Sequence, residues 1–225
     1  ERAIIFLTML FVAGMIGTLM SNRSNKAIAN FARGYGFSLV DSKSVLFPNN
    51  LAPNRWRDKR GWGKEVELAY GGKVGDKNAE LMFCNFPWIF RYGGLAQVVR
   101  IKLGSKLSNL RIRPRSELAL GVMPWTWHMT PNYKEISVND KEFSKNLILE
   151  AQEGLPTDLG LKIAGDLSKD KNVIAKLKYL VSTVDGQELL VYGTTNFPNE
   201  EDLANLFEGA KALVEVIDKN IKNSE

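Results

Sequence analysis

One cysteine, Cys84, and one histidine, His128, stand in a chain of 225 residues. A single thiol excludes an intrachain disulfide and fits a reducing compartment. One soft ligand of each kind cannot close a zinc site without carboxylates. The same scarcity disfavours Ser–His–Asp and Cys–His chemistry, and no G-x-S-x-G elbow occurs anywhere. Gly71-Gly72-Lys73-Val74-Gly75 lacks the spacing of a phosphate-binding loop and reads as a hairpin turn. The carboxylates Asp140, Glu142, Asp166 and Asp170 sit in polar contexts, but no spacing pairs them for acid–base work. Repeats, low-complexity tracts and internal linkers are absent too. The expectation is a non-enzymatic protein with no cofactor, no metal and no catalytic residues.

Arginine is missing from the second half: none follows Arg115. Residues 1–115 hold 19 Lys and Arg against 7 Asp and Glu, whereas residues 116–225 hold 11 against 18. The net charge of +5 therefore conceals a basic half and an acidic half. Either folding intermixes them or the domain is dipolar, with a basic side turned to an anionic surface.

What the chain does have is one long apolar run. The 18 residues Ala3 to Met20 carry no charge, and Glu1-Arg2 and Ser21-Asn22-Arg23 bound them sharply. As a helix the run would span roughly 27 Å, close to a bilayer's hydrocarbon thickness. A signal peptide has a shorter apolar core and a small-x-small cleavage site, which does not follow here. Residues 1–23 are thus read as a single transmembrane anchor. Arg23, Lys26, Arg33 and Lys43 follow it, against Arg2 alone before it, which places the remainder in the cytoplasm.

Residues 24–36 read as a juxtamembrane amphipathic segment, with Ala27, Ile28 and Phe31 on one face and Gly34-Tyr35-Gly36 ending it. Residues 37–225 read as one α+β domain, a mainly antiparallel sheet packed by C-terminal helices. Strands are predicted at Phe37 to Val40, Val66 to Tyr70, Ala79 to Asn85, Val98 to Leu103, Leu110 to Arg113, Glu135 to Val138, Leu147 to Ala151 and Glu188 to Tyr192. Gly71-Gly72, Gly75-Asp76, Gly104-Ser105-Lys106 and Asp185-Gly186 are read as turns. A helix is predicted from Lys169 to Ser182. Another starts after Asn199, with Leu203, Leu206, Phe207, Ala210, Leu213, Val214, Ile217 and Ile221 as its stripe.

One segment is locally unusual. Arg55, Trp56, Arg57, Lys59, Arg60, Trp62 and Lys64 interleave five cations with two indoles in an expected loop. Cations attract phosphate oxygens and indoles favour the headgroup zone, so these seven residues are the candidate contact for anionic lipid headgroups or a protein partner; nucleic acid is the weakest match. The plainer alternative is a loop whose tryptophans fold inward. Arg111, Arg113 and Arg115 alternate along a strand and share one face, either a row for an anionic partner or, the favoured expectation, the solvent side of an edge strand. Pro124 to Met129, including His128, is either a core-filling loop or a patch for a partner.

The stretch Glu142 to Ala151, the strand Glu188 to Tyr192 and the helix from Asn199 resemble bacterial membrane-anchored proteins of unknown function, in which a hydrophobic N-terminal segment precedes a soluble domain. Leu147 stands where an aromatic is common in that group. The resemblance implies an architecture and brings no catalytic residues. Together these features lead to the expectation of a membrane-tethered interaction protein, an accessory subunit of a larger membrane-protein complex in the bacterial inner membrane, with the bilayer and other membrane subunits as partners. A membrane-surface enzyme using carboxylates or His128, and an anionic-lipid-binding module, are the alternatives.

Overall fold

The structure, a computed structural model, describes residues 23–45, 65–86, 94–116, 133–152, 157–195 and 199–222. The described chain is α+β, a seven-stranded antiparallel sheet with its helices on one face. In chain order, helix α1 runs through residues 23–34 and strand β1 is Ser38–Val40, followed by a single 3-10 turn. The hairpin β2 (Glu65–Val74) and β3 (Lys77–Phe86) leads to β4 (Gly94–Pro114). Next come β5 (Tyr133–Ile136), the short helix α2 (Lys141–Asn146) and β6 (Leu147–Gln152). Helices α3 (Asp158–Leu167) and α4 (Lys171–Leu177), strand β7 (Val181–Thr195) and helix α5 (Glu200–Lys222) complete it.

The sheet is organised by β4. Ala96 to Ile101 pair with β3 and with β7, while Leu110 to Ile112 pair with β6 and with the start of β7. A strand has only two edges, so β7 follows one of them while β3 and β6 take successive halves of the other. The sheet thus runs β1-β2-β3-β4-β6-β5, with β7 alongside β4. Register shifts between Lys102, Leu107 and Leu110 let the 21-residue β4 stay paired across an irregular middle. The Gly104-Ser105-Lys106 stretch, expected to be a turn, lies inside this strand. Asp185-Gly186 lies inside β7, where Gly186 takes a φ of 59° opposite Leu107. Gly75, at φ 63°, makes the β2–β3 turn as expected, but Gly71-Gly72 is strand.

One large apolar cluster lies between the sheet and the helices. Leu81, Phe83, Val99, Ile101, Leu147, Leu149, Leu189 and Val191 face Phe143, Ile163, Leu167, Ile174, Leu177 and the α5 stripe. On α5, Leu203, Leu206, Phe207, Ala210, Leu213, Val214 and Ile217 are buried, as their spacing predicts. Asn199 caps this helix by accepting from the Asp202 N–H at 2.9 Å. A smaller cluster of Ala69, Met82, Cys84, Val98 and Leu190 occupies the opposite face.

Helix α1 belongs to the large cluster. Its residues Ile28, Phe31 and Ala32 are buried there, so the segment read as juxtamembrane contributes directly to the core. Phe31 stacks on Tyr35 with centroids 4.4 Å apart, and Phe207 of α5 meets Phe31, Tyr35 and Phe37 within 6.0 Å. The helix ends in a Schellman arrangement. Phe37 N–H donates to the Ala32 carbonyl and Gly36 N–H to that of Arg33, with Gly36 at φ 74°. Among the described residues no helix is long and apolar enough to cross a membrane. The Ala3–Met20 run lies outside them.

Candidate interaction surface

The seven residues selected from the sequence, Arg55, Trp56, Arg57, Lys59, Arg60, Trp62 and Lys64, lie outside the described residues, as does the Pro124–Met129 cluster with His128. The other candidates are placed, and most have structural work. Asp140 accepts the Phe143 N–H at 2.8 Å and starts α2; Asp170 accepts from Asn172 at 2.8 Å and starts α4. Glu142 accepts a hydrogen bond from Asn146 one turn along the same helix, at 3.2 Å. Asp166 takes Lys169 at 2.5 Å, Lys219 at 3.1 Å and Asn220 at 3.0 Å, and these contacts hold its carboxyl far below the usual range. Asp140 and Glu142 stand at the start of α2, Asp166 near the end of α3 and Asp170 at the start of α4. Among the described residues no three His, Cys, Asp or Glu side chains gather as a metal site. Cys84 is buried on the second face of the sheet, and that burial pushes its thiol up to about 12, far from a reactive thiolate.

The arginine row corrects the expectation of a solvated edge. At Arg111 and Arg113 the strand β4 is flanked by β6, and by β7 at Arg111. Arg111 is only 5% exposed. Directly across on β6, Glu150 receives the Nε–H of Arg111 at 2.5 Å and of Arg113 at 3.0 Å. The Tyr133 ring lies 4.5 Å from the Arg111 guanidinium. The alternation was legible in sequence, but the buried carboxylate opposite was not, because register decides it. Arg115 leaves the row. Its Nε–H donates to the Ser144 carbonyl at 2.6 Å and its other arm to Glu135 at 3.0 Å.

Arg115 and Glu135 also border a cleft of about 160 Å³ between β5, α2 and the start of β6, lined further by Ser137, Phe143 and Ser144. Ligand pockets usually occupy some 300–1,000 Å³, so this one is too small for a nucleotide or flavin. Its two charges already pair with each other.

The remaining surface of interest is the outer side of α1. Arg23, Lys26, Asn30 and Arg33 are all exposed and fall at i, i+3, i+7 and i+10, along one line. Ser24, Ile28, Phe31 and Ala32 occupy the opposite side and are buried. The helix has three cations and no carboxylate. None of the three pairs with an acid among the described residues.

Comparison with known proteins adds one likeness. No protein-family model matches the chain, and no curated protein does. Among solved structures, the crystal structure of the mycobacterial trehalose monomycolate transport factor A, TtfA, is similar, with a TM-score of 0.50 and 9% sequence identity. The match covers 88% of this chain and 94% of that one. The two share a fold. At such low identity the likeness carries over architecture and no residue roles.

Proposed function

We propose that this chain is a membrane-tethered, non-enzymatic interaction protein, an accessory subunit of a larger membrane assembly, with its α+β domain on the cytoplasmic side. The observation that carries the reading is the place of α1. Its described part, residues 23–34, follows the apolar run Ala3–Met20 closely in sequence, and it is built into the core through Ile28, Phe31 and Ala32. A span formed by Ala3–Met20 would end within three residues of Arg23 and so hold the domain close to the bilayer. The basic residues following the run support the cytoplasmic orientation. The neighbour in fold is by name a transport factor, which fits an accessory part in a membrane process, as does the resemblance to bacterial membrane-anchored proteins.

Extraction of the native protein from its own membranes in a mild detergent tests the reading. The account expects a species well above the 25.2 kDa of the chain plus its micelle, containing other membrane proteins in fixed ratio. A strictly solitary chain would count against it.

A further inference from the structure

We infer that the outer side of α1 is a docking surface for anionic lipid headgroups, with Arg23, Lys26 and Arg33 as its contacts. This deepens the tethered reading and rests on it. The commitment to a lipid surface comes from three features. The apolar run ends at Met20, so the first cation of the stripe follows it by three residues. The apolar side of α1 is already used in the core, and what remains outward is the line Arg23, Lys26, Asn30 and Arg33. The charge on that line is of one sign, complementary to the phosphates of the cytoplasmic leaflet. A helix fixed to the domain on one side and cationic on the other would orient the whole domain against the membrane, not only keep it nearby.

The experiment uses the full chain reconstituted in vesicles, with Asn30→Cys on the stripe carrying a bimane. Cys84 is buried and stays unlabelled, so the probe is specific. Quenching by a headgroup-nitroxide lipid is compared in phosphatidylcholine and in phosphatidylcholine containing about one-third phosphatidylglycerol. Quenching is expected to rise by about twofold or more in the anionic vesicles and to fall back at about 1 M salt, where the screening length is about 3 Å. The combined change Arg23→Gln, Lys26→Gln and Arg33→Gln should abolish the rise; continued protection of Cys84 from thiol reagents verifies that this variant is folded. Flotation of the same vesicles at alkaline pH separates the two ideas. A chain that stays in the vesicles but shows no dependence on phosphatidylglycerol or salt overturns the stripe alone. A chain that leaves the vesicles overturns the anchor and the stripe together.

Discussion

Two glycines show how much depends on what a missing Cβ would touch. At Gly72 an added Cβ would lie 2.6 Å from Phe37 Cγ, and a ring wedged beside Phe207 has nowhere to go. Gly72→Ala should therefore cost about 1–3 kcal/mol in chemical denaturation. At Gly209 the obstacle is the end of the Leu180 side chain, 2.8 Å away, which can rotate. There the gain in helix propensity of about 1 kcal/mol offsets the crowding, and Gly209→Ala should be close to neutral. Glu150 is the opposite case, a buried charge whose value lies in its partners. Glu150→Gln removes the carboxylate that Arg111 and Arg113 share, and breaking a buried ion pair costs about 3–5 kcal/mol. A loss well under 1 kcal/mol would mean that the arginines are held by other groups.

At the scale of elements, α5 and the β2–β3 hairpin were legible because period and turn chemistry agree in them. Seven apolar positions at helical spacing follow a capping Asn199, and Gly75-Asp76 sits between two alternating runs. Elsewhere local signals gave way to the wider sheet. Gly104-Ser105-Lys106 has turn composition, and β4 takes it up as an irregularity: residues 103–106 stand between the pairs Lys102–Glu188 and Leu107–Gly186, where β7 has one residue. The predicted Lys169–Ser182 helix stops at Leu177, because Val181 to Val184 are β-branched or small and Ser182 to Val184 pair with Leu110 to Ile112. Helix α3 was missed although Gly160, Ile163, Ala164 and Leu167 are spaced at i, i+3, i+4 and i+7. The tie between α3 and α5 is Asp166, and it is sensitive to acid. Its folded carboxyl titrates below the usual value of about 3.9, so its contribution is complete above that pH and fades as pH falls below it. The stability gap between the native chain and Asp166→Asn should be widest near neutrality and close in strong acid.

Taken together, the described residues form an α+β layer with its helices on one face of the sheet, and α1 is part of its core. The fold class was accessible from periodicity alone. The surface was not, since the residues with the most conspicuous composition, Arg55 to Lys64, lie outside the described residues, and the stripe on α1 stands out only once its opposite side is known to be buried. Cys84, the sole thiol, reports on the integrity of the folded whole. With its thiol pushed up to about 12, it should resist a disulfide reagent at pH 8 and react promptly in denaturant; rapid labelling of the native chain would show the second face open. The proposed tether is tested most directly by washing membranes from the native host with alkaline carbonate. Retention of the full chain in the pellet is the predicted result, and quantitative release into the supernatant would contradict the account.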